Sequence, residues 1–213
     1  MNQIKSSYHH GDLRSSLLEA AIDLIRESGV EELSMRKLAD RVGVSRTAPY
    51  HHFVDKHELL SVIAEVGFAQ YEAGLNAALQ SIEDPGQSLH LFLRYYLNFA
   101  LEHPQAYNLM FGQGVWKSGQ STQALKTEAY RVFKSYVGRV EAWQKAGILP
   151  DCVDALRLAQ ISWSTLHGLC RLLLDGIYVD PHNLEDLLGL AENMFRQRLC
   201  VDGAATADIP PNR

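Results

Sequence analysis

The sequence predicts an all-α protein of about nine helices, a small N-terminal three-helix unit followed by a larger helical body. Three observations carry this. Apolar residues recur at helical spacing from Leu13 onward, first as Leu13, Leu17, Ala21, Leu24 and Ile25. No segment alternates apolar and polar residues with the period of two that a half-buried strand requires. The stretch from Ser34 to Phe53 reads as two very short helices with a tight turn at Gly43.

Residues 1–10 are polar and expected to be loose. The first helix starts near Asp12, placed to cap it, and ends at Ser28-Gly29, where glycine suits a left-handed closing residue. Ser34 is the expected N-cap of the next helix, whose apolar face is Leu38, Ala39 and Val42. Gly43 stands where the chain needs φ > 0, and Ser45 is the expected N-cap of a following helix running to His51. A small Ala39 followed four residues later by Gly43 is the pattern of a helix-turn-helix. Pro49 is the fourth residue of that second helix. It lacks the N–H that would reach the Ser45 carbonyl, and its ring crowds that carbonyl, so the first turn is expected to tighten or tilt.

Asp55 and Glu58 form a capping box for a long helix that has no breaker until Asp84-Pro85-Gly86. Further helices are expected over Leu89–Glu102, stopped by His103-Pro104, and over Ala106–Phe111, ended by Gly112-Gln113-Gly114. Two longer ones follow, Thr122–Ala146 and Asp151 to about Ile177. The last runs from an Asn183 cap to about Cys200, with Glu185 and Asp186 set against its N-terminal dipole. In the 151–177 helix, Leu156, Ala159, Trp163, Leu166, Cys170, Leu173 and Ile177 line one stripe while Leu158, Leu169 and Leu172 lie elsewhere. That is more apolar surface than one subunit's core needs, so a dimer is expected.

The chain of 213 residues carries a net charge of −5. Between Ser34 and His57, however, Arg36, Lys37, Arg41, Arg46 and Lys56 outnumber Asp40 and Asp55, a local balance of +3. A basic segment on an acidic body suits local phosphate contact, and it also suits a merely solvated face. Cys152, Cys170 and Cys200 are widely spaced, so free thiols, a reducing compartment and a cytoplasmic location are expected. No signal peptide or membrane span is expected, because Arg157, His167 and Arg171 interrupt the most apolar stretch.

An enzyme is the competing class. His9, His10, His51, His52 and His57 crowd the N-terminal region. Adjacent histidines on a helix point about 100° apart, and no face is completed one turn on, so no metal and no cofactor are expected. No nucleophile elbow, P-loop or dinucleotide fingerprint occurs, and an enzyme is not expected. A helical sensor or carrier that never touches DNA is the third class.

Two stretches, Y-H-H-G-D-L-R-S-S-L-L-E-A-A at Tyr8–Ala21 and L-S-M-R-K-L-A-D-R-V-G-V-S-R-T-A-P-Y-H-H-F-V-D-K-H-E-L-L at Leu33–Leu60, resemble the TetR family of bacterial regulators. L-E-H-P at Leu101–Pro104 and W-S-T-L-H-G at Trp163–Gly168 resemble a subgroup whose sensor domain is marked by Trp followed by His-Gly, the WHG type. The resemblance implies an all-helical homodimer, with a helix-turn-helix DNA-binding domain at residues 1–55 and a ligand-binding and dimerisation domain at 56–201. Residues 202–213 are then a disordered tail. Where the family often has Leu and two Tyr before His-Phe, this chain has Pro49-Tyr50-His51-His52-Phe53.

On that reading the partners are double-stranded DNA with a palindromic operator, a second copy of the chain, and a small effector, with no membrane. Arg46 and Thr47 reach base edges, Arg46 offering a fork that matches guanine. Ser34, Ser45, Tyr50, His51 and Lys56 are phosphate contacts, with core as the alternative for Tyr50, and Phe53 belongs to the core. Arg36 projects to the groove edge or to solvent. Phe92, Tyr96, Phe99, Tyr107, Phe111, Trp116, Trp163 and His167 are the effector-site candidates, set against plain core.

Overall fold

The computed structural model describes residues 13–116, 121–178 and 181–197. Nine α-helices lie among them: α1 (Leu13–Ser28), α2 (Met35–Val42), α3 (Lys56–Leu79), α4 (Pro85–Glu102), α5 (Pro104–Phe111), α6 (Gln113–Trp116), α7 (Gln123–Lys145), α8 (Ala155–Leu174) and α9 (Leu184–Arg196). No strand occurs among the described residues. The Asp12 cap, Cys200 and the 202–213 tail fall outside them.

The chain divides into two compact units, Met1–Gly74 with Glu102–Val132 and Leu75–Leu101 with Phe133–Arg213. The first has a core of α1, α2 and α3 side chains. Leu17, Ala21, Leu38, Ala39, Leu59 and Ala64 have no exposed surface. α2 lies between two capping devices that its sequence dictates. The Ser34 hydroxyl accepts the Lys37 N–H at 3.2 Å. Gly43, at φ 76°, sends its N–H back to the Ala39 carbonyl at 3.0 Å. A buried carboxylate, Glu72 on α3, is paired with Arg131 of α7, which also holds Glu128 at 2.7 Å. Thr122 caps α7 through the Leu125 N–H, at 3.1 Å, and donates to Glu65 at 3.0 Å.

In the second unit Phe92 of α4 stacks on Tyr136 of α7, with centroids 4.7 Å apart and planes within 4°. Trp143 meets the Phe92 ring edge-on at 5.4 Å. Polar pairs tie α4 to α9: His90 to Glu192 at 2.9 Å, Arg94 to Glu185 at 2.7 Å, and Arg196 to the Gly86 carbonyl at 3.2 Å. The predicted α8 stripe is largely internal, since Ala159, Leu166, Cys170 and Leu173 are buried. Of the apolar residues outside the stripe, Leu172 is exposed and Leu158 and Leu169 are half-buried; Leu156 and Ile177 at the ends of the stripe are exposed, as are Ile161 and, on α9, Leu190 and Met194.

Several boundaries differ from expectation for local reasons. α4 starts at Pro85, four residues early, because proline needs no N–H partner at the first helical position and Asp84 caps the Gln87 N–H at 2.6 Å. Pro104 ends α4 and in the same way starts α5. Gln113–Trp116 is a helical turn where a glycine loop was expected. α8 starts late, at the Asp154 cap. Asn183 occupies the cap position of α9 without a side-chain bond. Cys152 is disulfide-bonded, against the expectation of free thiols, while Cys170 is buried and takes part in no disulfide. No described helix is long and apolar enough to cross a membrane.

At Gly43 a Cβ would meet nothing within 4 Å, so the cost of a side chain there is conformational alone. Gly43→Ala is expected to lower stability by about 1–2 kcal/mol, the cost of holding an L-residue left-handed, and Gly43→Asn by less. Denaturant midpoints measure both; an unchanged midpoint for the alanine variant contradicts the account.

Candidate nucleic-acid interface

The second element of the motif is not the α-helix predicted over Ser45–His51. It is a 3-10 turn, Ala48–His51. The bonds run three residues back: Ala48 to the Ser45 carbonyl at 2.9 Å, Tyr50 to Thr47 at 3.1 Å, and His52 to Pro49 at 3.0 Å. Pro49 is the cause. It has no N–H for the Ser45 carbonyl, and its buried ring fixes the inner side of the turn. Ser45 is not a backbone cap either; its hydroxyl meets that of Thr47 at 3.1 Å, and Thr47 occupies the cap position without a side-chain bond. Phe53, 1% exposed, closes the loop with its N–H on the Pro49 carbonyl at 2.9 Å.

This arrangement leaves Ser45, Arg46, Thr47, Tyr50 and His51 exposed. Tyr50 is 55% exposed, which removes the core alternative for it, whereas Phe53 is core as expected. The other candidates surround them. Ser34 is committed through its acceptor lone pair to the α2 cap, which leaves its hydroxyl proton available. Lys56 opens α3 and donates to the Glu31 carbonyl at 3.3 Å. Asp55 accepts the Glu58 N–H at 2.8 Å, and Glu58 accepts the Val54 N–H at 2.5 Å. Two of the chain's own carboxylates therefore occupy N–H groups at the start of α3, beside the predicted phosphate contact Lys56.

The basic residues of the segment are not equivalent. Lys37 pairs with Glu32 at 2.5 Å, Arg41 with Glu27 through two bonds of 3.0 and 2.5 Å, and Arg36 with Asp40 at 4.0 Å. The Arg41 hydrogen bond holds the Glu27 carboxyl below its ordinary range, and Lys37 does the same for Glu32. Arg46 is exposed and has no carboxylate partner among the described residues. The local +3 therefore overstates the open positive charge and understates its focus on Arg46.

The effector-site candidates fall into two sets. Tyr107, Phe111 and Trp116 belong to the first unit; Phe92, Tyr96, Phe99, Trp163 and His167 belong to the second. In the first unit Tyr107 and Phe111 pack at 4.8 Å, Phe68 meets Phe111 edge-on at 5.3 Å, and the Trp116 indole donates to the Met110 carbonyl at 2.7 Å. In the second, Phe92, Tyr96 and Phe99 are buried. Trp163 lies against Phe133 at 6.2 Å and stacks on His167 at 5.2 Å. Burial, aided by the charge of Arg171, holds the His167 imidazole below its ordinary range.

Sequence reasoning missed the polar centre of this second set. The Tyr136 hydroxyl meets Ser162 Oγ at 2.6 Å, and burial pushes the phenol up to about 12. Ser162 in turn bonds the Leu158 carbonyl at 2.6 Å. The signal available was Phe133 and Tyr136, three apart on a predicted helix with Trp143 seven further on. No group of three or more histidine, cysteine or acidic side chains suited to a metal occurs among the described residues.

Comparison with known proteins places this geometry. The family model for the tetracyclin repressor-like C-terminal domain matches residues 89–196, and that for bacterial regulatory proteins of the tetR family matches residues 17–63. The tetracycline repressor protein class A of Escherichia coli is 45% identical over 56 residues, 26% of each chain. The chain spans between a quarter and a half of the length of the first curated relatives it matches. An uncharacterized HTH-type transcriptional regulator of Mycobacterium tuberculosis is 31% identical over 189 residues, with 76% of this chain and 80% of that one covered. A solved structure of a protein with unknown function from Rhodococcus sp. RHA1 superposes with a TM-score of 0.78 at 29% identity, covering 91% of this chain and 100% of that one. With one family model spanning half of its length and a second spanning the turn and its supporting helices, the chain belongs to the TetR family of bacterial regulatory proteins.

Proposed function

We propose that this chain is a ligand-responsive transcriptional repressor that binds a palindromic operator as a homodimer and is released by a small apolar or aromatic effector. The observation that carries the reading is the exposed 45–51 turn on a locally basic segment, with Arg46 free of any carboxylate among the described residues. Residues 1–55 supply DNA recognition, and 56–201 supply the sensor and dimer surface. Arg46 and Thr47 read base edges. Ser34, Ser45, Tyr50, His51 and Lys56 hold phosphates, and Arg36 leaves Asp40 to reach the groove edge.

The exposed apolar residues of α8 and α9 support the dimer. Ile161 and Leu172 share one helical face with Gly168 between them, and Leu190 and Met194 share another. Small and apolar side chains together permit close packing of a second copy. The stacked Trp163 and His167 support assignment of the sensor to the WHG-type subgroup. The buried aromatic set around Tyr136 supports an apolar effector with one polar anchor. Such a molecule needs only a differential affinity of a few kcal/mol between the two states. The setting is the bacterial cytoplasm, and the chain works as a regulator, not as an enzyme.

Arg46→Ala is expected to cost about 1–3 kcal/mol of discrimination between DNA sequences, and Lys56→Ala to weaken all sequences alike. Binding isotherms on matched and mismatched duplexes measure this, and unchanged affinity in both variants ends the assignment. The same isotherms repeated with small aromatic compounds test the effector; a broad set that never weakens binding removes it. Ile161→Glu is expected to give monomers in sedimentation at micromolar concentration, with the wild type dimeric. A monomeric wild type refutes the dimer.

A further inference from the structure

One cation near the recognition turn has no role among those DNA contacts. Arg14, at the start of α1, places its guanidinium carbon over the Phe53 ring, 5.2 Å from the centroid. Phe53 closes the 45–53 loop through the Pro49 carbonyl and is itself buried, so the ring is a fixed platform. Arg14 is exposed. A guanidinium carries all its donors in its own plane, so a ring beneath one face fixes its position while leaving donors open to an anion.

The surrounding charges give this a direction. From Leu13 to Glu58, Arg26, Arg36, Lys37 and Arg41 each pair with a carboxylate. Arg14 and Arg46 form no ion pair with a carboxylate among the described residues, whereas Lys56 donates to the Glu31 carbonyl and its charge is felt by the Glu32 carboxylate; all three border one loop. Arg46 lies within it, Lys56 lies three residues beyond its end, and Arg14 is held on its last residue. The acids of the unit pair with the cations away from the loop and leave Arg14 and Arg46 open beside it.

We propose that Arg14 is a DNA backbone contact, aimed at a phosphate beside the recognition turn by its seat on Phe53. The inference rests on the DNA-binding reading. It adds a positioning device that is absent from the helix-turn-helix segment itself, because the cation comes from α1 and its platform from the end of the loop.

The probe is a duplex that the wild-type protein selects from a random pool, with affinity measured across a salt series. Arg14→Gln is expected to weaken binding and to flatten the dependence of log K on log salt by about 0.9 for each phosphate no longer neutralised. Arg14→Lys keeps the charge and is expected to retain the wild-type slope with a smaller drop in affinity. Phe53→Leu removes the platform and is expected to lower affinity at an unchanged slope. Thermal melts of Arg14→Gln are expected to follow the wild type. A wild-type slope for Arg14→Gln overturns the inference, as does weaker binding matched by lower thermal stability. A wild type that selects no duplex overturns the DNA-binding reading and the inference with it. Normal selection by the wild type with an inert Arg14→Gln sinks the inference alone.

Discussion

Pro49 lacks the N–H that an α-helix would give to the Ser45 carbonyl, and the geometry of the presenting loop follows from that one missing donor. Bonds within the turn close over three residues instead of four, and a four-residue bond returns at its end, from the Phe53 N–H to the Pro49 carbonyl. The proline ring and Phe53 are buried, and Ser45, Arg46, Thr47, Tyr50 and His51 are turned out. The supporting elements fix where this loop begins and ends. Gly43 sets the exit from α2 at a left-handed dihedral, and the Asp55–Glu58 box sets the entry to α3. A 3-10 turn of four residues has few bonds of its own, so its shape is held by the packing of Pro49 and Phe53 and not by helix propensity.

Charge distribution serves the same loop. The protein as a whole is acidic, at −5, which limits indiscriminate attraction to polyanions. Within the first unit, exposed carboxylates hold Lys37 and Arg41, while Arg46 stays open at the loop. Exposed pairs of this kind exchange for other partners at little cost, so they form a reserve of positive charge rather than a fixed framework.

Much of the fold was legible because its signals are local. Ser34, Gly43 and Asp55 act within four residues of where they stand and make the bonds that their positions imply, while Glu58 reaches the Val54 N–H instead of the Asp55 N–H of a reciprocal box. Proline was read too narrowly, as a stop at residues 85 and 104, when it also suits the first position of a helix. The Pro49 effect was legible as a tightened turn, but its extent was not, since a single missing bond converted the whole element. Partners remote in sequence were illegible. Tyr136 and Ser162 lie 26 residues apart, and nothing in either neighbourhood announces their bond. Of the aromatic candidates, Phe92, Tyr96, Phe99 and Tyr107 are buried and Phe111, Trp116, Trp163 and His167 are half-buried, and periodicity tells which face is covered and not by what. Tyr107 and Phe92 were grouped by composition and belong to different compact units.

The central claim is that a short turn, braced by proline on its inner side, reads duplex DNA from paired copies of this chain. Selection of bound fragments from a random duplex pool tests it most directly. The account predicts enrichment of an inverted repeat whose half-sites are centred about one helical turn, or a multiple of it, apart. A pool that emerges without sequence enrichment, or with a lone unrepeated half-site, contradicts it.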